Sequence, residues 1–203
     1  MSVLPWVVSS GWASGVNSYA MVLFLGIAGR FLGADDVPPA LERTDVMLVA
    51  LVLFALEAVV DKIPYLDSVW DTVHTVVRPG ISAAVSALMA GQVGDLDGAA
   101  QVGLSALGGA TALASHLVKA SLRVAVNTSP EPVSNIAVSA GEDVGVAAVI
   151  GLAVLHPWVA ASVALALLVL GTVLVVSLWR LVRRGFRQRR ARRSRQAAAA
   201  GAA

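Results

Sequence analysis

The sequence has no cysteine and few charged or aromatic side chains. Only 14% of its 203 residues are charged and 5% are aromatic, whereas 57% are apolar. The absence of cysteine excludes disulfide bonds and cysteine-based metal sites. A soluble domain has about 25% charged residues, and so apolar a chain is also excluded from the disordered class. The composition therefore predicts a protein whose surroundings are mostly lipid.

Acidic residues are missing from the last part of the chain. Residues 180–203 contain no acid but nine of the fifteen basic residues, whereas the preceding 179 residues carry six basic and thirteen acidic side chains. The nine are Arg180, Arg183, Arg184, Arg187, Arg189, Arg190, Arg192, Arg193 and Arg195. We interpret residues 1–179 as a helical transmembrane domain and residues 180–203 as a disordered cytoplasmic tail. Beside a membrane span, such a tail favours binding to anionic lipids over binding to nucleic acid.

The apolar segments predict an all-α, polytopic membrane protein. A spanning helix needs about 20 mostly apolar residues. Six segments qualify in whole or in part, and the third and fifth are short enough to be re-entrant. They are residues 12–31, 45–60, 81–93, 99–118, 144–156 (short unless it begins near residue 133) and 157–179.

The distribution of lysine and arginine predicts the orientation of these spans, because cytoplasmic loops collect basic residues. With six spans, Arg30 and Arg43 lie on the outer side. The other side holds the nine tail arginines together with Lys62, Arg78, Lys119 and Arg123. We therefore expect a multi-pass protein of the plasma membrane with both termini in the cytoplasm.

Two stripes of polar residues follow the second and fourth predicted spans. The first stripe is Asp67, Asp71, His74 and Arg78, and the second is His116, Lys119, Arg123 and Asn127. Within each stripe the spacing of three or four residues places all side chains on one helical face. The first stripe predicts an amphipathic helix on the cytoplasmic side that begins after Pro64 and ends at Pro79.

Further charged residues flank the two stripes. Glu57, Asp61 and Lys62 precede the first stripe, and the adjacent acids Glu142 and Asp143 open the fifth segment. The dipole of a helix favours negative charge near its N-terminus. A charge inside a bilayer costs about 2.5–3.5 kcal/mol on insertion scales. We therefore expect the stripes and the acid pair to face each other around a polar cavity that opens to the cytoplasm.

Roles follow from side-chain chemistry. The residues predicted to bind substrate are Lys62, Arg78, His116, Lys119, Arg123 and Asn127. The residues predicted to couple protons or ions are Glu57, Asp61, Asp67, Asp71, His74, Glu142 and Asp143. The alternative interpretation is that the charged residues form structural ion pairs, or that they lie on the water-exposed face of a helix at the membrane interface.

No motif in the sequence predicts catalysis. A compact metal motif such as H-E-x-x-H, a phosphate-binding loop and a dinucleotide fingerprint are all missing, so no catalytic residue, metal or cofactor is predicted. Polar, proline-containing segments after two spans are typical of transporter sites. We expect a small transporter or flippase-like protein with an anionic or lipid-linked substrate. The alternatives are a non-catalytic scaffold or partner subunit and, third, a membrane enzyme acting on lipid phosphates.

Several of these motifs together resemble a known family. They are Glu57-x-x-x-Asp61-Lys62-Ile63-Pro64-x-x-Asp67-x-x-x-Asp71, Gly15-Val16-Asn17-Ser18-Tyr19, the second stripe, and Ser139-x-x-Glu142-Asp143. They are similar to an uncharacterised family of small bacterial integral membrane proteins, a domain of unknown function (DUF4126). The resemblance implies a multi-span bacterial membrane protein and no particular activity. Residues 129–132, Ser-Pro-Glu-Pro, replace a glycine-rich connection that the family implies.

Overall fold

Six helices make up most of the structure. The computed structural model describes residues 3–63, 65–126 and 132–200, with side-chain surroundings described as far as residue 184. Within those residues there is no β-strand, and the all-α prediction is confirmed. The helices are α1 (Val3–Leu32), α2 (Thr44–Val60), α3 (Leu66–Gly91), α4 (Gly98–Val126), α5 (Pro132–Leu155) and α6 (Pro157–Ala200).

Helix α3 continues through Pro79, so the predicted helix end at this residue is wrong. The amphipathic helix and the short span at residues 81–93 form one helix. A proline inside a helix removes the hydrogen bond to the carbonyl four residues earlier, here that of Thr75. Packing against α4 holds the second half of α3 in place: the Ser82 hydroxyl donates to the Gly108 carbonyl at 2.9 Å. Tertiary contacts thus outweigh the local preference of proline.

The last two helices are longer than the apolar segments that predicted them. Helix α5 begins at Pro132 rather than near residue 144, so this segment is not short. Helix α6 follows after one residue, His156, and extends through the Arg-rich segment to Ala200. The backbone of residues 180–200 is therefore helical in the structure.

Helix α1 lies at the centre of the bundle and packs against each of the other five helices. Its backbone leaves the helical conformation at Asn17, where φ is −153° and ψ is 101°. Just before this break, α1 approaches α4 very closely. A Cβ atom on Gly15 would overlap the carbonyl oxygen of Ala112 and lie 2.5 Å from the Cβ of Ser115. Glycine at this position permits the contact of the two backbones.

The bundle places charge inside and apolar side chains outside. On α3, Arg78 is 0% exposed whereas Val76 is 78% exposed. Exposed apolar side chains also cover α2 and α6. Four helical segments are long and apolar enough to cross a membrane, namely Val3–Leu32, Leu66–Gly91, Ile136–Leu155 and Pro157–Arg184. The fold is therefore compatible with a membrane protein.

Candidate functional site

The two polar stripes face each other in the interior of the bundle. Eight charged side chains from α2, α3, α4, α5 and the loop after α2 are joined by ion pairs no longer than 4 Å. We call this group the ion network; its members are Glu57, Asp61, Asp67, Asp71, Arg78, Lys119, Arg123 and Glu142. The predicted meeting of the stripes is confirmed.

Arg78 connects the first stripe to α1, α2 and α4. Its guanidinium lies 2.8 Å from the Glu57 carboxylate and 3.1 Å from that of Asp71. It also donates to the Gly15 carbonyl at 3.0 Å and to Nδ1 of His116 at 2.7 Å. Since Arg78 is fully buried, these contacts replace the water that its charge has lost.

The contacts of His116 determine its charge. Arginine has only donors, so Nδ1 of His116 must accept the hydrogen bond from Arg78 and carries no proton. The other ring nitrogen, Nε2, lies 3.0 Å from the Asp71 carbonyl, which only accepts. The proton is therefore on Nε2, and His116 is a neutral ring that positions Arg78 rather than a third charge on α4.

Lys119 fills the middle of the ion network. Its ammonium donates to the carbonyl of Val16 and to the carboxylate of Asp61, both at 2.9 Å. The carboxylates of Glu142 and Glu57 lie 3.4 and 3.6 Å away. An ammonium has three hydrogens, and close acceptors surround it on several sides. Lys119 is therefore already neutralised by the protein.

Arg123 completes the network on the side of α5. Its guanidinium donates to the backbone carbonyl and the carboxylate of Asp61, at 2.8 and 3.1 Å. It lies 2.5 Å from the Glu142 carboxylate and 3.8 Å from that of Asp67. Through Arg123, the loop after α2 is tied to both α4 and α5.

The break in α1 supplies neutral partners to this network. At a helix end, backbone carbonyls have no intrahelical partner, and here those of Gly15 and Val16 face Arg78 and Lys119. Asn17 starts the second half of α1, because its side-chain oxygen accepts from the amide of Ala20 at 2.9 Å, as an N-cap residue does. Its side-chain nitrogen donates to Asp143 at 3.1 Å. One asparagine thus caps a half-helix and binds a sixth carboxylate.

Negative charge exceeds positive charge in the ion network. Five carboxylates accompany only three cations, and Asp143 lies next to them. Within the part of the chain that the structure describes, four buried carboxylate oxygens accept no hydrogen bond: Oε2 of Glu57, Oδ1 of Asp61 and both oxygens of Asp71, of which Oδ1 is only ion-paired with Arg78. A buried carboxylate without enough partners is unfavourable unless it takes up a proton or a cation. The network therefore has the chemistry of a proton or cation site.

Asp61, in the loop between α2 and α3, shows how the charges balance locally. Burial by itself would raise the pKa of this carboxyl, but the positive charges of Lys119 and Arg123 outweigh burial. The pKa of Asp61 consequently lies below its ordinary value of 3.8. Asp61 therefore stays ionised at neutral pH, which leaves the other carboxylates as the candidates for proton uptake.

Not every predicted site residue lies in the ion network. Lys62 donates at 2.5 Å to the carbonyl of Ala58 in the preceding turn. His74 stacks on Trp70 and contacts the hydroxyl of Tyr19 at 3.0 Å, beside the network rather than within it. Asn127 lies outside the described residues.

The interior around the network differs from the predicted open polar cavity. Glu142, whose side chain is 17% exposed, is the most accessible member, and the other seven are at most 4% exposed. Mutual ion pairing fills the space between the stripes. A cavity of about 350 Å³ adjoins the network instead, between α1, α4, α5 and α6. Its walls are mainly apolar, and Lys119 and Glu142 form its charged edge.

Comparison with known protein families adds to this description. The family described as a domain of unknown function (DUF4126) matches residues 4–177. The chain belongs to this family. The match contains every member of the ion network and ends before the Arg-rich segment. Neither the curated proteins nor the solved structures contain a match to this DUF4126 protein.

Sequence reasoning missed several contributors to the site of this DUF4126 protein. The carbonyls of Gly15 and Val16 carry no side-chain signal, and Tyr19 and Trp12 read as ordinary apolar residues of a span. One signal was available, because asparagine is rare in an apolar helix and competes for backbone hydrogen bonds. From the sequence, Asn17 is identified only as part of a family motif, whereas in the structure its position marks the break.

Proposed function

We propose that this DUF4126 protein is a small membrane transporter in which the ion network couples substrate movement to protons. The observation that carries the proposal is the break in α1 beside the network. Broken helices whose free ends face charged groups are a recurring feature of transporter sites. Here the break at Asn17 directs two carbonyls at Arg78 and Lys119 and one side chain at Asp143.

The surplus of carboxylates supports the coupling role. Unpaired buried oxygens on Glu57 and Asp71 are positions at which a proton can be bound and released. The three network cations, in contrast, already contact carboxylates or carbonyls. An anionic substrate would have to displace these partners. The geometry therefore favours a positively charged substrate.

We further propose that all six helices lie in the cell membrane with both chain ends in the cytoplasm. Because Arg78, Lys119 and Arg123 are buried in the bundle, they no longer count as loop charges. Lys62 and the nine tail arginines then lie on one side, and Arg30 and Arg43 lie on the other. This asymmetry favours a cytoplasmic tail.

Reconstituted vesicles test the transport proposal. The full chain is placed in liposomes with an imposed pH gradient, and three probes are measured separately: tetraphenylphosphonium, inorganic phosphate and a fluorescent phosphatidylglycerol. We expect at least one probe to move several-fold faster than in empty liposomes, and Asp71→Asn, which removes a carboxylate with unpaired oxygens, to abolish the gain. Lys62→Met, outside the network, is the matched control and keeps the rate. Rates equal to those of empty liposomes for all three probes would overturn the proposal.

A further inference from the structure

The cavity beside the ion network has a defined shape and one accessible charge. It occupies about 350 Å³ between α1, α4, α5 and α6, within the size range of small-molecule sites. Trp12, Leu167 and Leu168 contribute apolar wall, and Glu142 and Lys119 contribute the charged edge. Glycines of α5 leave room for this cavity, because they carry no side chain. The position of a Cβ on Gly141 has no atom within 4 Å, and on Gly145 it has only the edge of Trp12, at 3.7 Å.

The two charges at the edge of the cavity are not equally available. The Lys119 side chain is 2% exposed and that of Glu142 is 17% exposed. The Lys119 ammonium is also enclosed by Val16, Asp61 and Glu142. A ligand in the cavity therefore meets a carboxylate first. Because the ion network behind Glu142 has more carboxylates than cations, an additional positive charge improves its balance.

We propose that the cavity binds an amphipathic organic cation, with its positive group at Glu142 and its apolar body against Trp12 and the leucines of α6. The aromatic ring of Trp12, which lines the cavity, adds attraction for a cation. Glu142 also contacts Arg123 and Lys119, so a cation bound at Glu142 would directly change the ion pairs of the network. This inference rests on the proposed function and specifies its substrate class.

Binding measurements on the full chain in nanodiscs test the inference. Tetraphenylphosphonium is the probe, empty nanodiscs correct for partition into lipid, and tetraphenylborate provides nearly the same shape with opposite charge. We expect saturable binding of the cation, at least tenfold weaker binding by Glu142→Gln, and no saturable binding of the anion.

A second pair of variants separates loss of the site from loss of the fold. Gly141→Leu fills the cavity without removing an ion-pair partner, and we expect it to abolish binding. The control is Gly151→Leu. Gly151 is on the same helix, and a Cβ there also meets no atom within 4 Å, but Gly151 does not line the cavity. This variant should bind the cation like the wild type.

Three results would overturn the inference: binding unchanged in both Glu142→Gln and Gly141→Leu, tighter binding of tetraphenylborate, or no saturable binding. If phosphate or the fluorescent lipid still moves in the liposome assay, the substrate class is wrong and the transport proposal stands. If no probe moves but the cation binds as expected, the cavity is a binding site of a protein that does not transport.

Discussion

At the scale of single residues, Lys119 and Arg123 each have three charged partners in the ion network, more than any other member. Lys119 contacts Asp61, Glu57 and Glu142 across three different elements. Removing one partner of a buried ion pair leaves the other charge uncompensated, which is destabilising by about 3–5 kcal/mol. The effect is larger here because the carboxylates already outnumber the cations.

We therefore expect Lys119→Met to lower the apparent melting temperature of the protein in detergent by many degrees. Lys62→Met is the matched control, since Lys62 lies just after α2 and, within the described residues, donates only to the carbonyl of Ala58 in the last turn of that helix, and we expect a change within about 0.5 kcal/mol. Adding Asp61→Asn to Lys119→Met should restore part of the lost stability, because it removes a carboxylate that has lost a cation. Equal melting temperatures for Lys119→Met and Lys62→Met would contradict the role of Lys119.

A second prediction at this scale concerns the pH dependence of the stability that Asp61 contributes. The pKa of Asp61 is lower in the folded protein than its ordinary value of 3.8 because Lys119 and Arg123 offset its burial. The stability that Asp61 contributes is therefore fully present above about pH 5 and is lost as the pH falls below 3.8 through the folded pKa. The wild type should melt higher than Asp61→Asn at pH 7, and the difference should shrink from about pH 4 downward. A difference that grows on acidification would contradict this assignment.

At the scale of helices, the break in α1 depends on Asn17. Loss of an N-cap side chain costs about 0.5–2 kcal/mol, and Asn17→Ala removes both the cap of Ala20 and the bond to Asp143. Asn17→Ser keeps an acceptor for the cap but loses the donor to Asp143. We expect melting temperatures in the order wild type, Asn17→Ser, Asn17→Ala, measured in the same detergent. A variant Asn17→Ala as stable as the wild type would show that the break does not need its cap.

The contact of α1 with α4 gives another prediction at this scale. Because a Cβ on Gly15 would overlap the backbone of α4, Gly15→Ala should separate the two helices and destabilise the protein by about 1–3 kcal/mol, as overpacking does. The matched control is Gly103→Ala on α4, where a Cβ meets no atom within 4 Å. Alanine favours a helix over glycine by about 1 kcal/mol, so Gly103→Ala should be neutral or stabilising. Thermal unfolding of both variants checks the pair.

Much of the ion network was predictable from sequence because helical spacing determines which side chains share a face. Asp71 follows Asp67 by four residues, and Arg78 follows Asp71 by seven, so the three side chains share one helical face. Because burying each charge separately would be costly, they are expected to pair with charges on neighbouring helices. The break at Asn17 and the passage of α3 through Pro79 were not predictable in the same way. Both depend on contacts with neighbouring helices that stabilise the local backbone, and the residues that make these contacts are far away in the sequence.

At the scale of the whole molecule, the distribution of polarity is the reverse of that in a soluble protein. Charged side chains are buried, and valines and leucines are exposed on α2, α3 and α6. The sequence predicted this inversion through composition. It left open whether the stripes would enclose a polar cavity or close on each other as structural ion pairs, because the same stripes at a slightly greater helix separation would enclose water.

The proposed orientation can be measured at this scale because the chain has no cysteine. Single cysteines introduced as Asp36→Cys, between α1 and α2, and Ser194→Cys, in the Arg-rich segment, report the two sides without background. In intact cells, an impermeant maleimide should label Asp36→Cys only, and Ser194→Cys should become reactive after the membrane is opened. Labelling of Ser194→Cys in intact cells would reverse the orientation.

The two carbonyls exposed by the break in α1 have a property that no carboxylate shares, because they do not titrate. When a proton or an organic cation occupies an acid of the network, Arg78 and Lys119 lose part of the negative charge near them. The oxygens of Gly15 and Val16 still accept from them, at 3.0 and 2.9 Å, whatever the occupancy of the acids. In the proposed transporter, this helix end would keep both cations in place while the acids around them exchange their partners.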